Sequence, residues 1–137
     1  MSQPPTIEDE LLAAMPMTRG SGALDLRHEY LSKFEATRRA IKKKRGKSFC
    51  CEGCGLKDVQ LDTHHVISIE RIFTEGFPHE LIYAESNLVV ACRHNGPSGH
   101  EAGCHFHICH TVGSHSSWSI SDPHAREDLA KHRKEHQ

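Results

Sequence analysis

The tetrapeptide CEGC, residues 51–54, constrains this chain more than any other stretch. Two thiolates with two residues between them reach one ion from a single turn, as tetrahedral structural zinc requires. Gly53 and Gly55 supply the backbone freedom of such a knuckle. Cys51 and Cys54 make only half a site, so the rest must come from a distant part of the chain. Cys92 and Cys104 are the natural completing pair, although eleven residues separate them, and His94 or His100 could replace one of the two. Four sulfurs leave no coordination position for substrate or water, so an ion held this way is structural.

A metal staple also suits the composition. Apolar residues make up 36% and aromatics 6% of 137 residues, which fits one small domain whose burial stabilises it only modestly. No run of about 18 apolar residues is present. The opening MSQPPTIEDELLAAMPM carries acids where a signal peptide has a basic region. The chain therefore reads as soluble, non-membrane and cytoplasmic. In a reducing compartment, cysteines grouped with histidines bind metal more often than they pair as disulfides.

The pattern along the chain is α+β. Pro4, Pro5, Pro16, Gly20 and Gly22 make residues 1–22 a flexible arm in which ELLAAM forms a helical turn at most. Leu26, Tyr30, Phe34, Thr37 and Ile41 recur at helical spacing, predicting a basic amphipathic helix over 23–46 that Gly46 ends. Val59, Leu61 and Thr63 alternate with polar residues, and NLVVAC is β-branched, so two strands flank a partly helical loop and can pair antiparallel. Residues 47–120 form the core. A closing helix fills 121–137, with Asp122 as cap and Pro123 in its first position. Trp118 is expected to anchor it in the core.

Net charge is −1, but its distribution is uneven. Arg38, Arg39, Lys42, Lys43, Lys44, Arg45 and Lys47 form a block with no acid among them, the footprint of a phosphate-binding surface. A solvated helix end whose cations favour the dipole's negative pole has the same composition. His64 and His65 end the first strand, where successive side chains face opposite ways, so one can hold a metal while the other faces a substrate. GCHFHICH, residues 103–110, adds His105, His107 and His110 directly after Cys104.

Taken together, CEGCG, LDTHHVI, NLVVAC and GCHFHICH resemble, in kind and order, the HNH endonucleases, in many of which a four-cysteine zinc site frames the ββα-metal core. The resemblance spans about residues 49–118, and the segment after Cys104 is similar to phage- or plasmid-type members. It implies a His-Me-finger core and hydrolysis of DNA phosphodiesters, by nicking or double-strand cleavage. Double-stranded DNA is the implied partner, with the basic block as backbone grip.

The resemblance further implies His64 as metal ligand, His65 as general base, Asn87 as the residue that holds the hairpin and the base, and His105 as second metal histidine. The family's third position falls on Cys109 here, which leaves the third ligand open among His110, His107 and Cys109. His110 suits a hard, phosphate-bound cation better than a thiolate does. The implied catalytic ion is Mg²⁺, Mn²⁺ or another divalent cation, beside structural Zn²⁺. A zinc-stabilised, inactive nucleic-acid-binding module of the same fold is the alternative.

Overall fold

A computed structural model describes residues 5–15, 22–95, 101–112, 115–116 and 121–135. The expectation for Trp118 lies outside them. The fold is small α+β, built on one antiparallel hairpin of β1 (Leu61–His65) and β2 (Leu88–Cys92). Its register pairs Leu61 with Cys92, Thr63 with Val90 and His65 with Leu88. All five β2 residues are buried, which is why NLVVAC reads as a continuous apolar run instead of alternating.

Helix α2 (Ala23–Arg45) lies along the hairpin and buries Phe34 and Ile41, seven residues apart on one face. It ends at Gly46, whose φ of 53° disfavours any other residue. Leu26, expected on that face, is 42% exposed; the buried stripe starts two turns later. Helix α3 (Ile69–Glu75) is capped by Ser68, whose side chain accepts from Arg71 N, and a 3-10 turn, His79–Ile82, follows. Ile69, Ile72 and Ile82 form a second apolar cluster there.

The N-terminal segment departs from expectation. ELLAAM belongs to a true helix, α1 (Ile7–Ala14), set by a capping box in which Thr6 Oγ1 accepts from Asp9 N while Asp9 accepts from Thr6 N. Leu11 and Met15 are buried against α3, with Ile7 on the same stripe. Tertiary burial thus extends a helix that the flanking prolines and glycines disfavour.

After β2, the short ribbon β3 (His94–Asn95) and β4 (Glu101–Ala102) leads into one helical turn, α4 (Cys104–His107). A second short ribbon follows, β5 (Thr111–Val112) with β6 (His115–Ser116). Helix α5 (Ala125–Glu135) starts two residues beyond Pro123, because Asp122 Oδ1 accepts from His124 N and forms a turn first. Its Ala125 and Leu129 are fully buried. Arg126 donates to the Ser86 and Leu88 carbonyls and Arg133 to that of Cys51, tying the last helix to the hairpin and the knuckle.

Candidate metal centres and cleft

Cys51, Cys54, Cys92 and Cys104 converge, their sulfurs all within 4.8 Å of one another. The turn after Cys51 aims Gly53 N and Cys54 N at Cys51 Sγ, at 3.3 and 3.4 Å, and Cys104 N donates to Cys92 Sγ at 3.3 Å. Such N–H groups favour thiolates. Cys54 Sγ lies 3.6 Å from Cys92 Sγ. Tetrahedral zinc with bonds of about 2.3 Å has S···S edges of roughly 3.8 Å, so the four sulfurs fit the ion.

Protonation points the same way. Donation from the Cys104 and Cys92 thiols holds Cys51 far below the ordinary thiol range, while Cys104 is pushed far up by giving its proton to Cys51 and Cys92 and by burial. Four thiolates this close together need a cation to offset their mutual repulsion. Two glycines make the approach possible. A Cβ on Gly103 would stand 2.4 Å from the Cys92 carbonyl oxygen, and one on Gly53 2.9 Å from Cys104 Sγ.

His64, His105 and His110 form a second cluster, also within 4.8 Å. His64 Nδ1 is 3.0 Å from His105 Nε2, which is 3.3 Å from His110 Nε2. Metal–nitrogen bonds of about 2.1 Å at tetrahedral angles give edges of roughly 3.4 Å, so three imidazoles fit one ion and leave positions open. Burial, then the neighbouring His105 and His110, keeps His64 far below the ordinary imidazole range and therefore neutral, as a ligand must be.

The five-residue spacing of His105 and His110 becomes workable because α4 ends in a wide turn. Cys109 N bonds back to the Cys104 carbonyl at 3.2 Å, five residues away, and brings His110 round toward His105. His107 is exposed, and Cys109 is wholly buried with its thiol pushed well up by burial, so neither joins the cluster. Among the described residues the cysteine cluster includes no histidine; the side chains of His94 and His100 lie outside the description.

His65 faces the other way. Its Nε2–H donates to the Ile82 carbonyl at 2.6 Å and its ring stacks on Phe34 with centroids 5.3 Å apart. The Ile82 contact fixes the tautomer and leaves the Nδ1 lone pair available. Burial pushes the ring down to about 4, against the Ile82 carbonyl, which favours the charged form. Asn87 supports this arrangement at one remove. Its Oδ1 accepts from Ile67 N, and its Nδ2 donates to the carbonyls of Ile67 and Leu81, the residue before Ile82.

Three residues at this site carry no sequence signal of their own. Asp62 Oδ2 accepts from His105 Nδ1 at 2.8 Å, so the ring's Nε2 is free to point into the histidine cluster. Arg93 pairs with the same oxygen at 2.8 Å. Glu10, from α1, stands 3.9 Å from His65 Nδ1, and burial pushes its carboxyl up to about 8, helped by Asp9 and Asp62 and opposed by Arg93. With His64, His105 and Arg38 these three residues line a cleft of about 130 Å³. His65 sits behind Glu10 and does not reach the cleft wall.

The basic block divides. Lys44 pairs with Glu85 at 3.3 Å and Arg45 with Glu52 at 3.2 Å, whereas Arg38 leans over β1 and donates to the Leu61 carbonyl at 3.4 Å. Arg39, Lys43 and Lys47 are exposed. Among the described residues no helix is long and apolar enough to cross a membrane.

No protein-family model, curated protein or solved structure matches this chain.

Proposed function

We propose that this protein is a metal-dependent endonuclease of the HNH kind, hydrolysing DNA phosphodiesters at the cleft over His64 and His105. The observation that carries the reading is the pair of adjacent strand residues with separate surroundings: His64 in a three-imidazole cluster, His65 with its tautomer set by the Ile82 carbonyl. Phosphodiester hydrolysis needs a base for the attacking water and positive charge for the phosphorane and departing oxygen.

His64, His105 and His110 would hold a divalent cation, which supplies that charge when bound. Asp62 keeps the His105 ring oriented. His65, neutral at ordinary pH, would accept the water's proton at Nδ1 once Glu10, which stands between that nitrogen and the cleft, moves aside, with Asn87 steadying the loop that holds its other nitrogen. Arg38 and Arg93 bring positive charge to the cleft wall. The four cysteines would hold structural zinc and take no part in the chemistry.

One observation favours a second reading, a DNA-binding module that does not cut: Phe34, the Ile82 carbonyl and Glu10 surround His65, which is only 2% exposed. The two part on supercoiled plasmid incubated with Mg²⁺ or Mn²⁺, with and without chelator. The nuclease reading expects metal-dependent nicking that His65→Ala slows about 10² to 10⁴-fold. Intact plasmid under both ions, or equal cutting by the variant, leaves the binding module.

A further inference from the structure

Beside the cleft, on the far side of Arg38, lies a second hollow of about 280 Å³ lined by Arg38, Lys42, Lys57 and Phe49. It is built from two distant segments. Arg38 and Lys42 are one helical turn apart on α2, and Lys57 comes from the loop that follows the cysteine knuckle. No carboxylate lines it, although Glu35 stands 3.8 Å from Arg38 on the cleft side, where Glu10 and Asp62 also lie among the cations. Lys42 and Lys57 are exposed, and the Lys42 ammonium lies 6.0 Å from the centre of the Phe49 ring. Arg38 borders both hollows, so the two are adjacent.

We propose that this second hollow is the track along which a DNA sugar–phosphate strand is gripped as it leaves the cleft, with Arg38, Lys42 and Lys57 as its phosphate contacts. The inference rests on the cleft being where DNA is bound, and it changes which cations matter. Composition makes the block from 38 to 47 look like one uniform surface. Its members are instead divided by the folded chain. Arg45 bonds to Glu52, whose carboxylate also accepts from Val90 N at 2.6 Å, so it ties α2 to the knuckle and to β2. Lys44 meets Glu85, a carboxylate that would repel a phosphate at the same place. Lys57 is outside the block and joins the track only through the fold. Lys57 follows Cys54 by three residues in the chain. Such contacts position a strand without reading its bases.

The test is equilibrium binding of the full-length protein to a fluorescent 30-base-pair duplex, without added divalent ion, across a salt series. Each phosphate contact contributes about 0.9 to the slope of log K against log salt. Lys42→Ala with Lys57→Ala is expected to lower affinity roughly tenfold or more near 0.1 M salt and to reduce the slope by about 2. Lys131→Ala, a matched charge loss on α5, and Lys44→Ala are expected to change the slope by less than half as much per charge. Wild-type affinity and slope in the double variant overturn the proposal, as does a loss on Lys44→Ala equal to that on Lys57→Ala. Thermal melts confirm that every variant is folded.

Failure of the functional reading looks different. A protein that binds with the expected slopes but never nicks plasmid keeps the track and loses the nuclease. One that nicks normally in the double variant keeps the nuclease and loses the track.

Discussion

The cysteine and histidine clusters are neighbours in the chain and opposites in design. Four sulfurs enclose one point on every side, and backbone N–H groups from the knuckle and from α4 steady them. Three imidazoles enclose another on one side only, and the open side is a cleft lined by carboxylates and arginines. A closed donor set suits a structural ion, and an open one leaves room for a further ligand. The placement of supporting groups follows the same division. Glycines that let backbone pass within van der Waals distance surround the sulfurs, whereas charged side chains that orient a ring surround the imidazoles.

The largest test of this contrast removes one donor from each cluster. Cys51→Ala should abolish the folded state at 25 °C, since metal binding of about 10 kcal/mol or more is then lost from folding. His110→Ala should keep the fold with a modest fall in melting temperature. Circular dichroism melts with a zinc count read both. A Cys51→Ala protein that melts like wild type would end the structural assignment.

Next in size is Gly103→Ala. The added methyl meets the Cys92 carbonyl and sulfur with no flexible atom to yield, so a loss of about 3 kcal/mol or more is expected by chemical denaturation, together with weaker zinc retention. Asp62→Asn sharpens the other side. It leaves the volume of the side chain unchanged while weakening its hold on His105, so affinity at the histidine cluster should fall about 10 to 100-fold with the cysteine-bound ion retained. Titration with Mn²⁺ or Co²⁺ measures it.

A pH-dependent effect concerns Glu10. Its carboxyl is raised to about 8 in the folded chain. A raised acid favours the folded state fully below its unfolded value near 4.5, and that contribution disappears as pH rises through about 8. Glu10→Gln cannot ionise, so its melting temperature should gain on wild type progressively between those values and level off above them. A constant difference across pH 5 to 9 would show that the carboxyl does not titrate there.

Much of this architecture is legible in the residues, for reasons that differ by element. The hairpin shows because β-branched runs bounded by turn residues have few other folds available, and the Cys51 and Cys54 pair shows because its spacing is short range. Helix α1 carries a local signal, the Thr6 and Asp9 box, but prolines and glycines on either side obscure it. Glu10, Asp62 and Arg93 are invisible for another reason. Each is a single charged residue whose role depends on a partner 31 to 55 positions away, and no spacing rule covers such pairs. The basic block fails likewise: Lys44 faces Glu85 across 41 positions, which no window along the chain can contain.

Cys104 and His105 are consecutive, so a single peptide unit joins the two clusters. An ion among the sulfurs would fix that peptide in place and so preset the imidazole; an ion among the imidazoles would do the reverse. Thermodynamic reciprocity then requires each ion to raise the other's affinity by the same factor. If both clusters hold ions as proposed, stripping the ion from the sulfurs would also loosen the hold of the imidazoles on theirs, although no donor is shared between the two.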